Sequence, residues 1–155
     1  LIGWPVRFDG AAKTAHHPLL ARWAEEGRLV PLCPETMAGL ATPRPAAEIE
    51  PGAAAADVLA GRARIRDARG GDHTVAFLEG ARIAVATARV RSIRFALTTD
   101  GSPSCGVARI ADGDFSGKKR PGEGVAARAL RDAGVEVFGL DDIEALAARL
   151  DAPAD

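Results

Sequence analysis

The sequence predicts an α/β domain of three-layer, Rossmann-like type, with a mostly parallel sheet and helices on both faces. Three observations carry that expectation. Helix-like and strand-like segments alternate along the chain, a pattern that folds into parallel strands covered by helices. The 155 residues fit one domain, which can bury roughly two thirds of its unfolded surface. The unusual loops follow directly after strands, at the carboxyl edge where open α/β sheets bind ligands. On this reading residues 1–150 form a single domain and residues 151–155 a frayed tail.

The elements follow in order. Leu1-Ile2-Gly3 reads as the end of a first strand. Such an abrupt start predicts that further residues precede it. Residues 16–27 predict a helix: Pro18 falls in the first turn, where its missing N–H is harmless, and Leu19, Leu20 and Trp23 recur at helical spacing. Gly27 is its stop. Residues 28–32 form a short apolar strand that runs into Cys33-Pro34-Glu35. The prolines at 43, 45 and 51 then forbid a continuous helix or a central strand over residues 34–52. A loop of that length in a compact domain is usually functional or mobile. Residues 62–69, followed by Gly70-Gly71, predict a short edge strand and a turn.

Residues 72–91 give the longest helix, capped by Asp72, with Val75, Leu78, Ile83, Val85 and Val90 as its apolar content. Gly80 lies inside it, at a cost of about 1 kcal/mol relative to Ala. Residues 93–97 are a strand, residues 98–106 a loop, and residues 107–115 a strand and turn. A helix over 124–133 stopped by Gly134, a strand over 135–138 and an amphipathic helix over 141–150 complete the chain.

Composition narrows the function. Net charge is -1, so no global basic field attracts nucleic acid. Aromatics are 5% with no Tyr, which argues against a base-stacking platform. No apolar run is long enough to span a bilayer, and the stretch poorest in polar residues, 81–88, contains Arg82. No signal peptide is visible, so the expected compartment is a reducing cytoplasm, where paired cysteines are more often metal-binding or catalytic than structural.

The two cysteines, Cys33 and Cys105, each fall at the end of a strand or in the loop just after one. In a parallel sheet both lie at one edge, which suits a shared metal. Two buried cysteines acting as small hydrophobes satisfy the same spacing. Neither belongs to a CxxC pair, which excludes zinc ribbons and thioredoxin-like motifs.

The surrounding motifs distinguish the two. They are Leu1-Ile2-Gly3 with Val6-Arg7-Phe8-Asp9-Gly10; Val30-Pro31-Leu32-Cys33-Pro34-Glu35; Gly39-Leu40-Ala41-Thr42-Pro43-Arg44-Pro45-Ala46-Ala47-Glu48-Ile49; Gly101-Ser102-Pro103-Ser104-Cys105-Gly106; and Asp112-Gly113-Asp114-Phe115-Ser116-Gly117 with Gly122-Glu123-Gly124-Val125. Together, and in this order, they resemble a bacterial family long carried as a domain of unknown function, whose characterised members are thiouracil desulfidases. The resemblance runs from Leu1 to about Val137.

The resemblance implies a 4Fe-4S cluster held by three cysteines, with one iron open to the sulfur of a small thiolated base such as 2-thiouracil. Cys33 and Cys105 match two of the ligand positions. The third is the residue before Leu-Ile-Gly and is expected upstream of Leu1. One departure stands in the loop before Cys105: family members often carry a Lys-rich approach there, and this chain has Thr98-Thr99-Asp100-Gly101.

Desulfuration needs a soft acceptor for sulfur and a general acid/base for water attack. Glu35, two residues from Cys33, is the expected proton carrier. Ser102 is expected to act in catalysis and Ser104 to bind substrate, although Ser-Pro sequences also open turns. Arg44, stiffened between two prolines, either orients a substrate group or clamps Glu48 or Asp9. Two other functions stay open: a regulatory module that holds a metal or cluster without turnover, and a nucleotide-binding protein using residues 113–124 with Lys118, Lys119 and Arg120. The last segment lacks P-loop spacing.

Overall fold

The structure is a computed structural model and describes residues 1–152. It is a mixed α/β fold. In chain order the elements are α1 (Pro18–Glu25), α2 (Pro34–Met37), β1 (Ala47–Ile49), α3 (Ala55–Leu59), β2 (Ile65–Asp67), α4 (Thr74–Val90), β3 (Phe95–Thr98), β4 (Arg109–Ala111), β5 (Lys119–Pro121), α5 (Val125–Asp132), β6 (Glu136–Gly139), a 3-10 turn (Leu140–Asp142) and α6 (Ile143–Asp151). Asp151 therefore still belongs to a helix, and the rest of the expected frayed tail, beyond Ala152, lies outside the described residues.

Among the described residues the strands form three two-stranded sheets rather than one mostly parallel sheet. Only β3 and β6 pair in parallel, with Phe95 opposite Glu136 and Thr98 opposite Gly139. β1 pairs with β2, and β4 with β5, both antiparallel. Residues 28–32 lead into α2 without joining a ladder. Pro31 supplies no N–H there. Leu1-Ile2-Gly3 contributes one isolated bridge, from Ile2 to Thr14.

The β3–β6 pair is covered on both faces. Phe95, Leu97 and Phe138 pack with Leu20 and Trp23 of α1 and with Ile143, Leu146 and Ala147 of α6. Ala96 and Val137 turn the other way, onto Ala84 and Ala88 of α4 and Ala127 and Leu130 of α5. This alternation is the period-two consequence of the pleat. A third cluster, with Ile49, Val58, Ile65, Phe77, Ile110 and Val125 at its centre, joins the small antiparallel sheets to α4 and α5.

The helix limits follow local chemistry. His17 caps α1 through its ring, with Nδ1 accepting from Leu19 N at 3.2 Å. Gly27 and Gly134 take positive φ just beyond α1 and α5, as helix stops require. Asp72 accepts from Thr74 N at 2.8 Å at the start of α4.

The buried face of α4 is not the one its large apolar residues predict. Val75 and Val90 are 79% and 83% exposed. The buried residues are Thr74, Phe77, Gly80, Ala81, Ala84 and Ala88. They recur at helical spacing, and the small residues Gly80, Ala81, Ala84 and Ala88 among them let α2 and α5 approach closely. Residues 118–120, weighed above as a phosphate loop, belong to the β4–β5 hairpin and its turn, and Arg120 donates to Ala53 O.

Candidate active site

Cys33 is the residue on which α2 starts, in an extended conformation. α2 is held against α4 at Gly80, where a Cβ would stand 2.6 Å from the Pro34 carbonyl oxygen. That glycine, costly as helix content, is what the close approach requires. The sequence signal was present, but its partner was not visible.

Cys105 ends the turn Ser102-Pro103-Ser104-Cys105. Ser102 Oγ accepts from the backbone N–H of Ser104 (3.0 Å) and of Cys105 (3.1 Å). Thr98 Oγ1 donates to the Cys105 carbonyl at 2.8 Å. The first turn of α5 grips the same segment: Val125 N donates to Pro103 O, and Ala126 N to Ser104 O, both at 2.9 Å. Gly124 lies so close that a Cβ would overlap the Ser104 carbonyl. Asp100 closes the loop by accepting from the N–H groups of Val107, Ala108 and Arg109 at 2.8, 3.0 and 3.1 Å. Burial pushes the Asp100 carboxyl up, but these three donors outweigh it and hold it below its ordinary value. The sequence assigns no role to Thr98, Asp100 or Gly124, because their partners lie at turns whose shape only the fold sets.

Both cysteines are free and half-buried. Cys105 keeps partial solvent access, yet dense protein surrounds it and desolvation pushes its thiol up to about 12. The Ser104 hydroxyl opposes this shift, and the negative charges of Glu35 and Cys33 add to it. The two thiols thus share one neighbourhood. The backbone at Leu1 lies in the same neighbourhood. Among the described residues no three His, Cys, Asp or Glu side chains gather as a metal site.

Glu35 faces the Cys105 turn. Its Oε1 is 3.5 Å from Ser102 Oγ, so the serine that braces the turn also points its proton at the carboxylate. Its Oε2 accepts from Arg44 Nε at 3.0 Å and from Arg44 Nη2 at 2.8 Å. Arg44 has further acceptors in Ala41 O, Thr42 Oγ1 and Val6 O at 3.1, 3.1 and 3.0 Å. The carboxylate that Arg44 clamps is therefore Glu35, not Glu48 or Asp9. Glu48 receives the N–H groups of Gly113 and Phe115, and Asp9 pairs with Arg7.

Ser104 is fully buried, and its Oγ makes no hydrogen bond of acceptable geometry despite its nearness to the Cys105 thiol. Two ammonium groups reach the loop that lacks the expected lysines. Lys13 Nζ donates to Thr99 Oγ1 at 2.6 Å, and Lys119 Nζ to Gly101 O at 3.4 Å. The structure thus gathers Cys33, Cys105, Glu35, Ser102, Ser104 and Arg44 around one turn.

A solved structure described as "[4Fe-4S]-dependent thiouracil desulfidase TudS" superposes with a TM-score of 0.87 and 39% sequence identity, covering 96% of this chain and 91% of that one. The "Uncharacterized protein YbbK" of Bacillus subtilis (strain 168) is 36% identical over 141 residues, 91% of this chain and 91% of its own length. The model of the 2-thiouracil desulfurase family matches residues 1–142. This chain belongs to the 2-thiouracil desulfurase family.

Proposed function

We propose that this protein is a 4Fe-4S-dependent desulfidase that removes sulfur from thiolated pyrimidines such as 2-thiouracil, giving uracil and sulfide. The observation that carries the reading is the meeting of two free thiols with the Glu35–Ser102 pair, in a chain of this family.

The donor set fits the cluster. Thiolates are soft ligands suited to iron–sulfur centres, and the two thiols come close enough to influence each other electrostatically. Cys33 and Cys105 would be two ligands. The backbone at Leu1 lies within electrostatic reach of both thiols. The buried Ser104 hydroxyl, whose neighbour is the Cys105 thiol, has no other acceptor among the described residues. The chemistry the cluster supplies when bound is a thiophilic iron that accepts the departing sulfur.

The chain's own groups manage the water and its protons. Glu35 takes a proton from a water whose oxygen bonds to the ring carbon, and Ser102 holds the carboxylate oxygen toward the turn. The C–S bond breaks as the C–O bond forms, and sulfur leaves with the bonding pair. The protons of the water finish on the sulfide. Thiocarbonyl plus water becomes carbonyl plus hydrogen sulfide, with no net oxidation. In this reading Ser104 Oγ, beside the Cys105 thiol, serves as a donor to the substrate, a role that its burial next to that thiol supports.

The fold reading extends in the same way. Residues 1–150 act as one α/β domain, with residues 1–3 and 28–32 lying beside the β3–β6 pair as the rest of a three-layer, Rossmann-like core. Leu29 packs against the same cluster as Phe95 and Leu97, and Leu32 against the same cluster as Ala96, which supports this arrangement. Free thiols and a cluster of this kind suit a reducing, cytoplasmic setting. Among the described residues no helix is long and apolar enough to cross a membrane.

The test is anaerobic incubation of the cluster-containing protein with 2-thiouracil, following uracil and sulfide. Equimolar uracil and sulfide over many turnovers is expected. An intact cluster without release of sulfide from any thiolated pyrimidine would instead mark a non-catalytic module.

A further inference from the structure

We propose that Arg44 is a positioning residue. It fixes the Glu35 carboxylate for catalysis and locks the loop of residues 4–8 to it, without touching substrate. The inference rests on the desulfidase reading for Glu35, and deepens it.

Arg44 and Glu35 are both half-buried, with only 8% and 15% of their side chains exposed. The two oxygens of Glu35 have separate partners. Oε2 takes both Arg44 donors, and Oε1 is left to the Ser102 hydroxyl beside the Cys105 turn. Arg44 thus decides which oxygen faces the reaction and which does not. The guanidinium cannot swing away, because Ala41, Thr42 and Val6 take its remaining donors. Its five N–H groups meet five hydrogen bonds, leaving none for a ligand.

The same residue reaches the chain's first loop twice. Its side chain donates to Val6 O, and its backbone N–H donates to Phe8 O at 2.7 Å. Residues 4–8 are therefore joined to Glu35 through this guanidinium, across a sequence separation of 38 positions between Arg44 and Val6. A lysine would keep the charge but lose the planar fork that serves all these acceptors at once. Small displacements of a reacting group cost large factors in rate.

The experiment uses anaerobically purified, cluster-containing full-length protein as wild type, Arg44→Lys, Glu35→Gln and the double variant. Iron and labile sulfide are measured on each, with kcat and KM for 2-thiouracil and amide hydrogen exchange of residues 4–10. Arg44→Lys is expected to keep its cluster and a KM within about twofold, and to lose about 10²-fold in kcat. In the Glu35→Gln background the same change should alter the residual kcat by less than about twofold, because the shared pathway is already gone. Exchange in residues 4–10 should quicken in both single variants.

Three results overturn the proposal: a raised KM at unchanged kcat, which marks a substrate contact; additive losses in the double variant; or cluster loss in proportion to activity. Should Arg44→Lys fail to fold, Glu35→Gln alone decides, since unchanged exchange in residues 4–10 removes the coupling. A wild type that turns over no thiolated pyrimidine defeats the desulfidase reading, while the exchange data still judge the clamp separately.

Discussion

The Glu35 carboxylate is held from two sides, by a guanidinium on one oxygen and a hydroxyl on the other. Pairs buried to this degree are expensive to break. Removing one partner leaves an uncompensated charge, at about 3–5 kcal/mol. The sequence showed that Glu35 stood near a ligand and that Arg44 was stiff, but their pairing spans a turn whose path depends on tertiary contacts. Asp100 is a second site of concentrated polar bonding, and it sets the shape of the Cys105 loop. Its carboxyl lies below the ordinary value of 3.8. A lowered folded-state pKa means stability that is present above 3.8 and lost as pH falls through the folded value. Asp100→Asn should therefore cost about 1–3 kcal/mol at neutral pH. Urea unfolding should show this gap closing below about pH 3.8, and a gap that persists in acid would mean that charge is not what the loop uses.

At the scale of elements, packing decided what propensity left open. The stop glycines of α1 and α5 were legible, because positive φ after a helix has one cheap solution. The buried face of α4 was not. Its larger apolar residues include the exposed Val75 and Val90; a close helix partner selects glycine and alanine instead, and the identity of that partner is absent from a local pattern. β5 was missed for the same kind of reason: Lys119-Arg120-Pro121 has little strand propensity and pairs only because the β4 hairpin folds back on it. Gly80 offers a test of sign. Alanine there gains about 1 kcal/mol of helix propensity, yet its Cβ meets the Pro34 carbonyl. Overpacking of this kind costs about 1–3 kcal/mol. Gly80→Ala should lower the unfolding midpoint and displace the Cys33 segment, reducing iron retained after purification. A raised midpoint with full iron would show that α2 yields freely.

Over the whole molecule, the β3–β6 pair and its helices hold two loops far apart in sequence against each other. Cys33 and Cys105 are brought together by that layering, and their neighbours Glu35, Ser102 and Ser104 come with them. The family motifs disclosed the chemistry from sequence, and the alternation of elements disclosed the class. Residues 28–32, which hold a proline, and residues 1–3, at the chain's start, complete no ladder among the described residues, where the parallel pairing is that of β3 with β6. The most direct measurement of the central claim is the iron and labile sulfide content of anaerobically purified Cys105→Ala protein beside wild type. The account predicts a brown wild type with iron and sulfide in equal amounts, and a colourless variant without either. A variant that keeps the colour and iron of wild type would contradict it.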